Sequence, residues 1–114
     1  MASPVRKPPV YTVYVIELEP AVLTCRKFAE ANPGYTYDPA QPPLYVGQSA
    51  HPPQKRFSQH CSGYKSSRYP RKYSVCLRMD LAGELVFSSR VEAEDMEAAQ
   101  AVFLREQGFA VWQR

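Results

Sequence analysis

The spacing of apolar residues changes along the chain, and each spacing predicts an element. The run VYTVYVIEL, from Val10 to Leu18, is rich in β-branched and aromatic residues and almost continuously apolar, which predicts a central strand. The shorter run PLYVGQS predicts a second strand that ends in a turn at Gly47. YSVCLRMDL and ELVFSSR predict two strands joined at Ala-Gly as a hairpin, and FAVWQR predicts a final short strand.

Helical spacing and boundary residues predict three helices between these strands. The first runs from about Pro20, which suits a first helical turn, to Ala31. It ends there because Asn32 precedes Pro33, and a residue before proline is biased away from helix. The second lies between Pro53 and Gly63, and the third runs from about Glu92 to Gln107. The order β, α, β, α, β, β, α, β predicts an α+β fold with a small, mainly antiparallel sheet of three to five strands flanked by helices.

Composition is that of one globular domain. The chain has 114 residues, 45% of them apolar, which suffices for one core but not two. We expect a flexible N-terminus over residues 1–9 and a single domain over 10–114. No apolar run is long enough for a membrane span, and no secretory leader is recognisable. Cys25, Cys61 and Cys76 show no zinc or disulfide spacing, so three thiols in a reducing cytoplasm are expected.

Charge is unevenly distributed. Residues 39–79 contain no Asp or Glu, whereas from Asp80 to Glu106 seven acids face two arginines. The acid-free span contains both histidines and the cations Lys55, Arg56, Lys65, Arg68, Arg71, Lys72 and Arg78, with Tyr64, Tyr69 and Tyr73 between them. A basic segment with interleaved aromatics is typical of a polyanion-binding face, although a solvated basic loop has the same composition.

Some of these residues suit phosphodiester hydrolysis, which needs a proton acceptor for water and a cation for the phosphate. Arg56 and His60 are four residues apart on one helical face and can converge on a single phosphate. Tyr14 and Tyr45 can meet if the first two strands pair. The ordinary alternatives are strand aromatics and a solvated helix face.

A carboxylate could come from the last helix. Its predicted apolar stripe consists of Ala93, Met96, Ala99, Phe103 and Leu104. Glu97 lies at the edge of that stripe, and a carboxylate at the border of a core needs a partner. Glu97 is therefore the candidate metal ligand, with an ordinary salt bridge as the alternative.

In this order the residues resemble the GIY-YIG nuclease family. TVY (12–14) and YVG (45–47) match its two motifs, RFSQH matches its Arg-containing helix, and EAEDME matches the helix with its metal-binding Glu. The ending LREQGFAVW is similar to that of small stand-alone bacterial members, so the resemblance spans about residues 10–112.

The chain departs from the family pattern at three points. Thr12 replaces the first Gly, and Gln48 stands where some members have Lys after the second motif. The linker between the motifs is long, which implies an insertion at about residues 19–43. This insertion could cover the sheet or shape access of DNA.

The resemblance implies a role for each site residue. Tyr45, alone or with Tyr14, would order or deprotonate the attacking water, with His60 as the alternative base, because its reference pKa of about 6.5 suits neutral pH. A tyrosine base needs its pKa lowered by Arg56 or a metal from a reference value of about 10. Arg56 would stabilise the pentacovalent phosphate, and Glu97 would hold Mg²⁺ or Mn²⁺. Flanking phosphates would be bound by Lys55, Lys65, Arg68, Arg71 and Lys72.

Three functions follow as hypotheses. The first is a metal-dependent DNA endonuclease with low sequence specificity, or with selectivity for single-stranded or branched DNA, since so small a domain has few ways to recognise bases. The second is a catalytically weak nucleic-acid-binding module of the same fold. The third is a protein whose basic face binds an acidic protein. No membrane partner is expected, and the oligomeric state stays open.

Overall fold

The computed structural model describes residues 9–63, 68–82 and 86–113, which form a mixed, mostly antiparallel five-stranded sheet with four helices. This confirms the predicted α+β class. The strands are β1 (Tyr11–Leu18), β2 (Leu44–Ser49), β3 (Ser74–Leu77), β4 (Val86–Phe87) and β5 (Val111–Gln113). The helices are α1 (Arg26–Ala31), α2 (Pro53–Ser62), α3 (Arg68–Tyr73) and α4 (Arg90–Glu106). No helix in the described part of the chain is long and apolar enough to span a membrane.

Strand β1 is central, as its continuous apolar run predicts. β2 pairs antiparallel with one edge of β1, in a register that sets Tyr14 opposite Gly47 and Ile16 opposite Tyr45. β5 lies parallel to β2, which confirms the final strand. The predicted hairpin between β3 and β4 is wrong for the residues described, because both strands pair with β1 at opposite ends of its second edge.

The chain turns away from β3 at Arg78, and this explains the missing hairpin. The Arg78 guanidinium donates to Glu17 Oε1 at 2.7 Å and to the two Asp80 carboxylate oxygens at 3.0 and 2.9 Å. A 3₁₀ turn over Met79–Leu81 follows directly. These bonds fix the turn against β1, so the run predicted as one long strand stops after Leu77.

Alternation along β1 divides the core into two layers. Tyr14 and Ile16 lie in the layer that includes Phe28, Tyr69 and Tyr73 from α1 and α3. The intervening residues of β1 lie in the opposite layer, against α4. Because successive side chains of a strand point to opposite faces, Tyr14 and Tyr45 both lie on the face that α2 covers.

The insertion at residues 19–43 forms less helix than predicted. Pro20–Thr24 is a 3₁₀ turn, and Cys25 has an extended backbone, so α1 begins only at Arg26. Asn32, at the end of α1, accepts a hydrogen bond from the Val111 N–H at 2.7 Å, and its amide donates to the Val111 carbonyl at 3.1 Å. The insertion is therefore tied to β5 and covers one face of the sheet.

Helix α4 buries a different stripe from the predicted one. Its buried residues are Ala93, Glu97, Ala101 and Leu104, whereas Ala99 and Phe103 are exposed. The small side chains of Ala93 and Ala101, one turn on either side of Glu97, let the helix lie close to the sheet. Glu97 is therefore central on the buried face and not at its edge, as the apolar pattern suggested.

Candidate active site

Tyr14 and Tyr45 are neighbours because of the register between β1 and β2. Their ring centroids lie 6.3 Å apart, and each side chain is 2% exposed. Gly47, opposite Tyr14, makes this arrangement possible. A Cβ atom at Gly47 would lie 2.5 Å from the Tyr14 hydroxyl oxygen and 2.7 Å from its Cζ. The expected turn at Gly47 is wrong, since β2 continues to Ser49; the glycine provides space for the Tyr14 ring.

His60 completes a cluster of three rings. It lies in the last turn of α2, is fully buried, and its ring centroid is 5.8 Å from that of Tyr14 and 5.5 Å from that of Tyr45. His60 Nε2 is 2.8 Å from the Tyr14 hydroxyl oxygen. In the tautomer protonated at Nδ1, Nε2 accepts the hydrogen bond that Tyr14 donates. A proton can therefore pass between the two side chains.

Arg56 lies one turn before His60 and is half-buried at the same cleft. Its Nη1 donates to Gln59 Oε1 at 3.0 Å, and its guanidinium also hydrogen-bonds to the Tyr14 side chain. The Arg56 and His60 pair is thus not a solvated helix face. Both side chains contact Tyr14, so Arg56 and His60 connect helix α2 to strand β1.

The protonation of Tyr14 follows from its burial. Desolvation, and after it the proximity of Tyr45, raise the pKa of the Tyr14 phenol far above its ordinary value, and Glu97 adds a smaller increase. The charge and hydrogen bond of Arg56 lower the pKa but do not offset burial. Tyr14 is therefore protonated at neutral pH and can accept a proton only as it releases its own.

Glu97 brings a carboxylate to these groups. It is 4% exposed and, with Tyr14, Tyr45 and Arg56, lines a polar cleft of about 300 Å³. The remaining lining residues are Gln48, Ser49, Ala50, His51, Gln59 and Arg90. The five predicted site residues are thus brought together: four line one cleft, and the buried His60 is hydrogen-bonded to Tyr14.

Among the lining residues to which the sequence assigns no role, two are polar side chains that lie near Glu97 in the lining of both cavities, Gln48 and Arg90. Gln48 Oε1 is buried and has no hydrogen-bond partner among the described residues. Arg90, the first residue of α4, lies with its guanidinium carbon 5.7 Å from the Tyr11 ring centroid and lines the cleft beside Glu97. A cation in the first turn opposes the helix dipole, and this signal could have singled out Arg90.

Four of the five predicted phosphate-binding residues lie on α2 and α3. Lys55 is exposed on α2, and Arg68, Arg71 and Lys72 are exposed on α3; we call these last three the α3 basic surface. Lys65 lies outside the described residues. Arg78 differs from them because Glu17 and Asp80 bind it, and this contact lowers the pKa of Asp80.

The interleaved tyrosines do not form a stacking surface in the described part of the segment. Tyr69 is 3% exposed and lies 4.9 Å, between ring centroids, from Trp112 in an edge-to-face contact. Tyr73 is also buried, and Tyr64 lies outside the described residues. The aromatic pattern that favoured nucleic-acid binding thus reflects core packing at these two positions. The expectation of nucleic-acid binding therefore depends on the exposed cations.

The residues at Glu97 suit a hard divalent cation. Glu97 also lines an adjoining cavity of about 290 Å³ with Glu94, Gln48 and Gln113. Carboxylate and amide oxygens are the ligands that Mg²⁺ and Mn²⁺ prefer, and Mg²⁺ needs only one or two carboxylates because it retains waters. Among the residues described, no three His, Cys, Asp or Glu side chains gather at one point. Glu97 is the carboxylate that lines both spaces.

Comparisons with models of known families, with curated proteins and with solved structures give no match to this chain. The geometry of the cleft and the sequence motifs are therefore the basis for assigning a function.

Proposed function

We propose that this chain is a divalent-cation-dependent DNA endonuclease of the GIY-YIG type, with low sequence specificity or selectivity for single-stranded or branched DNA. The observation that carries the proposal is the convergence of Tyr14, Tyr45, Arg56, His60 and Glu97, distant in sequence, at one polar cleft. A buried carboxylate and a guanidinium beside a hydroxyl–imidazole pair supply the groups that phosphodiester hydrolysis requires.

The Tyr14–His60 pair would manage the proton of the attacking water. Water gives its proton to the Tyr14 oxygen as the Tyr14 hydroxyl proton passes along the hydrogen bond to His60 Nε2, which lies 2.8 Å from the Tyr14 oxygen. This coupled transfer avoids a free phenolate, which the raised pKa of Tyr14 disfavours. Tyr45 would orient the water. The water oxygen then bonds to phosphorus, and the bond from phosphorus to the leaving oxygen breaks.

Arg56 would meet the charge that develops on the phosphate. Its guanidinium is present before substrate binds and is held in place by Gln59, so little reorganisation is needed. A cation held by Glu97 would supply Lewis-acid stabilisation of the leaving oxygen when bound. The exposed cations of α2 and α3 would bind flanking phosphates without recognising sequence.

The test is nicking of supercoiled plasmid and cleavage of duplex, single-stranded and branched oligonucleotides with Mg²⁺ or Mn²⁺. Glu97→Ala and Arg56→Ala should each reduce the rate by about 100-fold or more. Matched controls come from the exposed Arg26–Glu30 ion pair, whose side chains are 90% and 61% exposed. Glu30→Ala and Arg26→Ala should leave the rate unchanged. Equal activity of all four variants would refute the cleft as the active site.

A DNA-binding module with weak or no turnover is the second candidate. Gln48 favours it, because it stands where some family members have a lysine. Tight DNA binding by the wild type without cleavage of any substrate would establish this alternative. If the wild type neither binds nor cleaves DNA, both proposals lose their support.

A further inference from the structure

Gln48 has an unsatisfied side-chain oxygen and lines the same two spaces as Glu97. Its Oε1 is buried and has no hydrogen-bond partner within the described residues. Gln48 and Glu97 both line the catalytic cleft and the cavity that adjoins it, so they lie where the two spaces meet. A buried acceptor without a donor costs free energy of folding, and a water molecule or cation that contacts it would offset that cost.

The fold explains why these side chains meet. Gln48 pairs with Val13 of β1, and Val13 belongs to the layer that packs against α4. Glu97 is on the buried face of α4, which lies over that layer. Strand β2 and helix α4 therefore bring an amide side chain and a carboxylate side chain to the same space, and the oxygens of both groups are ligands of hard divalent cations.

We propose that Gln48 Oε1 is a second protein ligand, with Glu97, for the divalent cation of this cleft. The inference rests on the proposed function, since the cation is the one that the endonuclease would use. Glu94 and Arg90 also line the adjoining cavity. A neutral amide stands where some members of the family have a lysine, whose positive charge would repel a cation.

The test is a titration of the whole chain with Mn²⁺ in the absence of DNA. Electron paramagnetic resonance measures the free Mn²⁺ and thus the amount that is bound. Gln48→Met keeps the length of the side chain but removes the hard oxygen, and should weaken Mn²⁺ binding by about tenfold. Gln48→Glu adds a second carboxylate and should bind Mn²⁺ more tightly than the wild type. Circular dichroism checks the fold of each variant, and Gln48→Glu decides alone if Gln48→Met does not fold.

Gln59→Met is the matched control. Gln59 lines the same cleft, but its Oε1 already accepts a hydrogen bond from Arg56. Removal of this oxygen should therefore leave the Mn²⁺ affinity at the wild-type value. Unchanged or tighter binding in Gln48→Met, or no gain in Gln48→Glu, overturns the role of Gln48. If Glu97→Gln still abolishes binding, the endonuclease proposal survives that result. Mn²⁺ binding that does not depend on Glu97 overturns the cation site in both proposals.

Discussion

Gly47 determines where the Tyr14 ring can lie. A methyl group at this position would overlap the Tyr14 hydroxyl and Cζ, and the next nearest atom, Cε1 of Tyr45, is only 3.0 Å away. Since neighbouring strands fix the backbone of β2, the ring would have to move. The hydroxyl contact with His60 depends on the present ring position, so a change at one glycine reaches the proposed proton path.

Gly47→Ala should lower the free energy of unfolding by about 1–3 kcal/mol, as overpacking of a core does. It should also slow DNA nicking, because Tyr14 would leave His60. Urea unfolding and plasmid nicking measure the two effects. Gly34→Ala is the control: nothing lies within 4 Å of its added Cβ, and only the strain of its positive φ of 81° applies, about 1 kcal/mol. Equal losses of nicking in both variants would contradict the role given to Gly47.

The sequence located the candidate site better than it described the side chains around it. Strand runs and a helical spacing are local patterns, so they predict that Tyr14 can meet Tyr45 and that Arg56 and His60 share a helix face, and the resemblance to the family motifs singles these four residues out. The burial of Glu97 was misjudged, since a helical wheel weights Phe103 and ignores the close packing that alanines allow. Roles for Gln48 and Arg90 could not be predicted, because the cleft they line forms only when α4 packs on β2.

At the scale of elements, helix α1 of the insertion has only six residues, and hydrogen bonds from Asn32 at its end hold it in place. Asn32 makes four: its amide donates to the Phe28 and Val111 carbonyls, and its Oδ1 accepts from the Val111 N–H and from Arg105 Nε at 3.1 Å. It is 8% exposed, so its partners would be left unsatisfied without it. One side chain thus joins α1, α4 and β5.

Asn32→Ala should therefore lower the free energy of unfolding by about 3 kcal/mol, because several buried polar groups lose their partner together. Denaturant unfolding measures this change. Thr24→Ala is the matched control in the same insertion. The Thr24 hydroxyl donates to the Ala21 carbonyl at 2.7 Å but is exposed, so its loss should cost less than about 0.5 kcal/mol. Similar values for the two variants would show that the insertion is not fastened through Asn32.

At the scale of the whole molecule, charge distinguishes cations that could meet DNA from those already bound. The chain carries a net charge of +3, and its acid-free span supplies most of the candidates. Arg78 belongs to that span, yet two carboxylates neutralise it. The α3 basic surface is exposed and has no ion pair to a described residue. Counting charges along the sequence could not make this distinction, because Glu17 meets Arg78 only through the pairing of β1 with β3.

Replacing Arg68, Arg71 and Lys72 together by alanine should weaken DNA binding similarly for all sequences. Because the variant makes fewer phosphate contacts, its binding releases fewer counterions from the DNA. The slope of log affinity against log salt should therefore become shallower by about 2–3. Fluorescence anisotropy across a salt series measures that slope. Arg78→Ala removes one charge from the same span and should destabilise the fold while leaving the slope unchanged, since the Arg78 guanidinium is already engaged. If Arg78→Ala alters the slope as much per charge as the triple variant does, binding responds to net charge and not to a defined surface.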